Sequence, residues 1–203
     1  MPKTLLDIKG INIPKTKLGQ TKMEKLLSSA EELFASKGFY NTSISDICRH
    51  AGTAVGTFYI YFETKTDVYR YLMETYKHEI KHKLAESIKG CKTRYEKERE
   101  GIKCFIKYAV STSNVYNIIW GSLSIDKQLF TDYYESFAAS YSAGLAKDGE
   151  QISVTDTESI AYMLMGISNF LGLKAMFTKM SDEEIDKMID EAVIPALQFG
   201  ILK

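Results

Sequence analysis

A cluster of small and hydroxylated residues between positions 56 and 65 could bind a nucleic acid. The Thr57 hydroxyl can donate a hydrogen bond to a phosphate or lie against a thymine methyl, and Gly56 lets the backbone approach closely. Tyr59 and Tyr61, at the flanks of the same helical face, carry hydroxyls that can hold a phosphate. Lys65 lies at the predicted start of the next helix, where the helix dipole disfavours a cation unless an anion also binds. A phosphate on the free amides of that helix would resolve the conflict.

These residues need a helical scaffold, and the surrounding apolar pattern predicts one. Residues 42–62 have the sequence TSISDICRHAGTAVGTFYIYF, in which Gly52 separates two short apolar helical faces. Two helices this short are not stable alone, so they require the helix predicted over 21–37 to complete a three-helix module. This is the geometry of a helix-turn-helix, whose second helix fits a major groove about 12 Å wide. A plain three-helix core with a solvated surface is the alternative. The two faces consist of Ile44, Ile47, Cys48 and Ala51, and of Val55, Phe58 and Phe62.

At these positions the chain resembles the tetracycline-repressor (TetR-type) family of bacterial transcriptional regulators. The resemblance covers residues 21–70. It implies a DNA-binding domain of three helices at the N-terminus, followed by a larger helical domain that binds an effector and dimerises. The matching residues are Thr42, Asp46–Ile47, Ala51–Gly52, Gly56–Thr57–Phe58–Tyr59, Tyr61–Phe62, Lys65 and Asp67–Val68.

The resemblance also implies which residues contact DNA. One departure from the family pattern is Ala54–Val55, which stands where members often carry Ser-Lys before the glycine. This change removes a common phosphate or base contact, although Val55 can still pack on a thymine methyl. The implied contacts are Thr42, Ser43, Ser45, Thr53, Val55, Gly56, Thr57, Tyr59, Tyr61 and Lys65.

Helix-start signals recur along the whole chain and predict an all-α fold. Six [ST]-x-x-[DE] matches, each followed by apolar residues at helical spacing, begin at Thr21, Ser43, Thr64, Thr93, Thr155 and Ser181. Beyond the helix predicted over 64–90, we expect helices at 93–112, 125–146, 156–178 and 182–201, and a short helical turn near 115–121. The predicted organisation is a basic N-terminal arm at 1–20, a helix-turn-helix domain at 21–68 and an effector-binding and dimerisation domain at 69–203.

Composition places the chain among ordinary globular proteins. Its 203 residues are 45% hydrophobic and 26% charged with only 3 Pro, which excludes collagen-like, disulfide-scaffold and wholly disordered chains. The net charge is zero, yet residues 1–22 hold five Lys against one Asp, which is why we expect a basic arm there. The sequence has no uninterrupted apolar run near 18 residues and no secretory leader pattern, so we expect a cytoplasmic protein without a membrane span. The three cysteines are expected to be reduced.

Signals of catalysis or metal binding are weak. His78 and His82 have the i, i+4 spacing of a helical metal pair, but their phase places them opposite the apolar face, which favours a solvated surface. The chain has no Gly-rich phosphate loop, G-x-S-x-G or H-E-x-x-H motif. We therefore expect no enzyme activity, cofactor or metal. Two alternatives remain: a helical enzyme with a dispersed site, and a helix-turn-helix that binds protein instead of DNA.

The C-terminal part is rich in aromatic residues that could line an apolar cavity. Such stripes are more often plain core, but the tyrosine hydroxyls and the single tryptophan also suit a binding site. A neutral, aromatic or lipid-like effector is the expected ligand. The predicted lining is Phe105, Tyr108, Trp120, Tyr134, Phe137, Met163 and Phe170.

The last two predicted helices suit a dimer interface. The helix at 156–178 is apolar around most of its circumference, and Gly166 and Gly172 permit close approach, so burial on two sides is expected. Burial inside a monomer is the alternative, while the family resemblance favours a homodimer on a nearly palindromic operator. Pro195 is expected to kink or shorten the final helix. Taken with the resemblance, the sequence predicts a ligand-responsive, sequence-specific transcriptional regulator that acts as a repressor.

Overall fold

The computed structural model describes residues 10–198, and helices dominate this part of the chain, which confirms the all-α prediction. The described residues contain no strand, only an isolated antiparallel bridge between Ile11 and Phe62. A 3-10 turn at Gly149–Gln151 and a π turn at Ile189–Val193 interrupt the helices. The helices are α1 Lys17–Lys37, α2 Ile44–His50, α3 Val55–Tyr61, α4 Lys65–Ser87, α5 Arg94–Ser111, α6 Ser113–Ile125, α7 Lys127–Lys147, α8 Thr157–Thr178, α9 Asp182–Met188 and α10 Ile194–Gln198.

Local capping explains where most helices begin. Ser43, Thr93 and Ser181 each form the predicted capping box, and Thr64 exchanges hydrogen bonds with Asp67 at the start of α4. Such boxes satisfy amides of the first turn that have no partner within the helix.

Two predicted helix starts and one predicted turn are wrong. The α1 helix begins after Thr16, whose hydroxyl accepts a hydrogen bond from the Gly19 amide, so Thr21 lies inside the helix. Asp156 caps α8 in place of Thr155. The expected turn near 115–121 is the 13-residue helix α6, because its buried residues recur on one side over its whole length.

The chain divides into two compact units, one containing residues 10–78 and 114–131 and the other residues 79–113 and 132–198. The division falls within α4 and places α6 in the first unit. The limits predicted from sequence, 1–20, 21–68 and 69–203, concern function and remain predictions. In the first unit, α1, α2 and α3 pack together through fully buried side chains, which include Met23, Leu26, Ile47 and Phe58.

In the second unit, α5 packs against α8 and α9 around buried isoleucine and leucine residues. Cations spaced four residues apart on α5 face carboxylates on α9 and the π turn, which are also spaced by four. This ladder fixes the last helices on α5, and its tightest pairs are Arg99–Asp190 at 2.7 Å, Lys107–Asp186 at 2.8 Å and Lys103–Asp190 at 2.9 Å.

The second unit also buries a charged pair. Arg94 and Glu98, one turn apart on α5, are both almost completely buried, and the Arg94 Nε atom donates to Glu98 Oε1 at 2.7 Å. The hydroxyl of Tyr141 donates to the other carboxylate oxygen, and burial raises the pKa of that phenol well above its ordinary value. Asp148 accepts from Lys97 at 2.8 Å, so each charge has a partner.

Pro195, which was expected to kink or shorten the final helix, does not break it. The π turn at Ile189–Val193 directly precedes α10, and the helical path continues through Pro195 to Gln198. Proline collides with the carbonyl four residues earlier in an α-helix, and a wider turn in this place relieves that contact.

Among residues 10–198, one helix, α8, is long and apolar enough to cross a membrane by length and composition, a test that the core helix of a soluble protein also passes. One side of α8 carries buried residues such as Ile160 and Leu164. The other side exposes large apolar side chains, three of which recur every seven residues, about every second turn. These side chains are Tyr162, Met163, Phe170 and Phe177.

Candidate nucleic-acid interface

The α2 and α3 helices are joined by a tight turn built on Gly52. This glycine has a φ of 64°, in the left-handed region that favours glycine. The Thr53 amide donates to the Cys48 carbonyl at 2.9 Å and the Gly52 amide to the Arg49 carbonyl at 3.2 Å, so the end of α2 is satisfied within the turn. The turn fixes the direction of α3, whose Phe58 side chain is fully buried.

The outer face of α3 is exposed and carries no charge. Tyr59 is 57% exposed and Ile60 55% exposed, and Val55 and Gly56 are exposed beside them. Thr57 is half-buried on the same short helix. A face of this kind suits contacts to base edges and thymine methyls better than phosphate neutralisation. Ile60 lies on this exposed face, yet the implied DNA contacts omit it.

Two of the implied contacts lie inside the protein. Thr42 is 1% exposed, and its hydroxyl donates to the Gly38 carbonyl at 2.9 Å. Tyr61, expected at the flank of the exposed face, is 6% exposed, so that expectation is wrong. Helical phase misplaces Tyr61 because residues 10–12, which lie far away in sequence, pack along the end of α3.

Lys65 also turns towards the protein. Its amino group donates to the Phe39 and Thr42 carbonyls, both at 2.6 Å, and lies 4.1 Å from the centroid of the Phe39 ring. Burial lowers the pKa of Lys65 because desolvation penalises the charged form. An ammonium group has three N–H donors, and two of them are used here. A DNA contact by Lys65 stays a prediction, and these internal bonds argue against it.

The remaining implied contacts lie on α2 and in the turn. Ser43 and Ser45 are exposed, but the Ser43 hydroxyl is held in the capping box with Asp46. Hydrogen bonds from Ser43 lower the pKa of Asp46, so the box stays ionised at neutral pH. Thr53 is half-buried. Arg49, an exposed cation on α2 that the implied contacts omit, pairs with Asp46.

The predicted effector-binding residues belong to both compact units. Trp120 belongs to the first unit, whereas the other six belong to the second. Met163 is 54% and Phe170 68% exposed on α8, and their part in binding an effector stays a prediction. Their apolar periodicity indicates a surface that another chain can cover. Tyr108 is buried, and the Tyr134 hydroxyl donates to Asn169 at 3.4 Å, while Phe105 and Phe137 are half-buried.

The other groups considered for chemistry are dispersed. His78 and His82 are both exposed, and residues 10–198 contain no group of three or more His, Cys, Asp or Glu that could hold a metal. All three cysteines are free thiols. Cys48 is buried in α2, and burial raises the pKa of its thiol.

Sequence relatives match the region that builds this interface. Residues 26–72 match the family model of bacterial regulatory proteins of the tetR family. The Bacillus subtilis HTH-type transcriptional regulator YvdT is 54% identical over 44 residues, which are 22% of this chain and 23% of that regulator. The fatty acid metabolism regulator protein of the same organism is 32% identical over 76 residues, 37% of this chain and 39% of the relative. The matched segments thus cover less than half of either relative.

Solved structures extend the likeness to most of the chain. A TetR-family transcriptional regulator from Syntrophomonas wolfei superposes with a TM-score of 0.74 and 26% identity, over 89% of this chain and 96% of that one. The fatty acid degradation regulator FadR from Bacillus halodurans has the same TM-score at 16% identity, over 91% and 96% of the two chains, and shows the shared fold alone. These relatives are regulators and not enzymes. The resemblance found in the sequence is thereby confirmed: residues 26–72 match the tetR family of bacterial regulatory proteins, and most of the chain is similar to a TetR-family transcriptional regulator.

Proposed function

We propose that this protein is a cytoplasmic, ligand-responsive repressor that binds a nearly palindromic DNA operator as a homodimer. The observation that carries the proposal is the uncharged, exposed face of α3, held on a helix-turn-helix by a buried Phe58 and the Gly52 turn. A helix presented in this way can enter the major groove and read base edges.

Thr57 and Tyr59 supply the hydroxyls for this recognition, and Val55 and Ile60 supply apolar contacts to thymine methyls. Because α3 has no cation, phosphate neutralisation falls to other elements. Lys22 and Lys37 on α1 and Arg49 on α2 are exposed cations that suit this role. A small number of such contacts implies a modest dependence of DNA affinity on salt.

The exposed apolar side of α8 supports the dimer. Phe170 and Phe177 are 68% and 75% exposed, and Gly166 lies between Met163 and Phe170 on the same stripe. Large apolar patches on a soluble chain mark interaction surfaces. A second copy that packs its own α8 here buries both stripes by the same two-fold operation, which matches a palindromic operator.

The effector is expected to be a small apolar molecule of the acyl-chain class. Two relatives are named as regulators of fatty acid metabolism or degradation, and the second unit holds most of the chain's predicted aromatic lining. The effector must prefer the state that does not bind DNA, and a differential affinity of about 10²-fold, roughly 2.7 kcal/mol, suffices for a useful switch. Equal effector affinity in free and DNA-bound protein would contradict this mechanism.

The test is selection of bound fragments from random duplex DNA at several salt concentrations. We expect a palindromic site to be enriched with the native chain and lost with Thr57→Ala/Tyr59→Phe. The matched control is Thr131→Ala, which removes an exposed helical hydroxyl from α7. Enrichment that survives the double substitution would refute the assignment of α3. No enrichment with the native chain would favour the protein-binding alternative.

A further inference from the structure

The segment at residues 10–16, called the strap below, lies along the end of α3. The backbone amide of Asn12 donates to the Tyr61 carbonyl at 2.8 Å, and its side-chain Nδ2 donates to the Ile60 carbonyl at 3.0 Å. Both carbonyls belong to the last turn of a helix, where no partner within the helix is available. Asn12 therefore caps the C-terminal end of α3 from outside the helix.

The strap also reaches the start of α4. The Glu63 amide donates to the Gly10 carbonyl at 3.1 Å, and Ile11 forms its bridge with Phe62. Gly10 has a φ of 84°, and a Cβ atom on it would lie 2.9 Å from the Asp67 carboxyl carbon. Because Asp67 accepts the Thr64 amide at 2.8 Å in the cap of α4, the strap touches the cap itself.

At its other end the strap is anchored to α1. Thr16 caps α1 through the Gly19 amide at 3.1 Å. A Cβ atom on Gly19 would lie 2.7 Å from the Cβ atom of Pro14 and 3.6 Å from the Tyr61 hydroxyl oxygen. The strap thus ties the beginning of α1 to the end of α3 and the beginning of α4.

This connection matters because α3 has few stabilising contacts of its own. The helix has seven residues, and its N-cap, Ala54, provides no side-chain hydrogen bond. A helix of two turns depends on tertiary contacts for its stability and direction. The two bonds from Asn12 supply such contacts at the end opposite the turn.

We infer that the strap is a positioning element for the recognition helix, with Asn12 and Gly10 as its positioning residues. Asn12 thereby acts on DNA affinity through the protein, since its backbone amide and one side-chain N–H bind carbonyls of α3. This inference rests on the proposed function, because it assigns the strap to the geometry with which α3 meets DNA.

The experiment compares Asn12→Ala and Gly10→Ala with the native chain on the selected operator duplex, at a temperature where circular dichroism confirms that all are folded. The matched control is Asn41→Ala, which removes a side-chain amide bond of the same kind, 3.0 Å to the Lys37 carbonyl at the end of α1. Asn12→Ala should weaken operator binding about fivefold or more, the cost of one hydrogen bond. The slope of log K against log salt should not change, because no phosphate contact is lost.

Hydrogen exchange in the free protein gives a second readout that needs no DNA. In Asn12→Ala and Gly10→Ala, the amides of Phe62 and Glu63 should exchange faster, with Asn41→Ala at the native rate. Unchanged operator affinity in folded Asn12→Ala and Gly10→Ala would overturn the inference, as would a salt slope that falls by about one, the sign of a direct phosphate contact. If the native chain binds no DNA, the proposed function fails, and the exchange rates alone decide whether the strap holds α3.

Discussion

Replacing Lys65 by methionine tests whether this residue serves the protein or the DNA. The substitution keeps an unbranched side chain one atom shorter but removes both hydrogen bonds to the Phe39 and Thr42 carbonyls. Bonds from a charged donor contribute about 1.5–3 kcal/mol each, and the contact with the Phe39 ring about 0.5–1 kcal/mol. Desolvation of the amino group, which also lowers its pKa, offsets part of this sum. We expect Lys65→Met to lose about 2–3 kcal/mol of unfolding free energy.

The assay is urea unfolding, followed by titration with operator DNA over a range of salt concentrations. Lys187→Met is the control, because Lys187 is exposed and has only a 4.0 Å contact with Glu191. Its unfolding free energy should stay within about 0.5 kcal/mol of the native value. The reasoning is refuted if Lys65→Met is as stable as the native chain while its salt slope drops by about one, since Lys65 would then neutralise a phosphate.

Three further changes probe the second unit. Hydrogen bonds from Arg99 lower the pKa of Asp190 to about 2, so its stabilisation is present above the unfolded value near 3.8 and is lost between pH 4 and 2. Asp190→Asn should cost about 1 kcal/mol at pH 7 after allowance for solvent screening, and only a small fraction of that at pH 2. A cost independent of pH in urea unfolding would contradict this. Glu98→Gln removes the nearer counter-charge of the buried Arg94, which keeps only Asp148 at 3.4 Å, and should cost about 3 kcal/mol, measured by thermal unfolding, whereas an unchanged midpoint would show that the pair is dispensable. Phe170→Asp should convert the dimer to a folded monomer in sedimentation, and a persistent dimer would place the interface elsewhere.

The features that the sequence predicted well are local ones. The capping box of Ser43 involves residues three positions apart. The burial of Ile47 and Phe58 in a common core follows from the helical spacing of the apolar residues. Because these determinants lie within a few residues of one another, pattern alone reveals the helix-turn-helix.

The features that the sequence missed depend on distant partners. The carbonyls bound by Lys65 lie 23 and 26 positions away, and the strap joins Asn12 to Ile60 across 48 positions. The contacts of the strap also explain why Tyr61 is buried, although its position around the helix axis predicted the flank of an exposed face. The periodicity of a single sequence does not indicate that a loop folds back in this way.

The C-terminal part of the chain is limited by a different ambiguity of the sequence pattern. Apolar residues on both sides of α8 correctly signalled two faces, but pattern cannot distinguish burial within one chain from burial between chains. Leu164 faces the core of the second unit, and Phe170 is exposed. Met163 and Phe170 both lie on the exposed side, which the apolar pattern alone did not separate from the buried side.

The π turn at Ile189–Val193 is equivalent to a single residue inserted into a regular helix. Each α-helical residue advances about 100°, so the insertion sets which side of α10 faces the core. Ile194 and Leu197 are buried in this register. A relative that lacks the extra residue would need a one-position gap to align beyond Val193. Without that gap, the alignment would match polar residues of the relative to buried positions of this core, although the two proteins share the same packing.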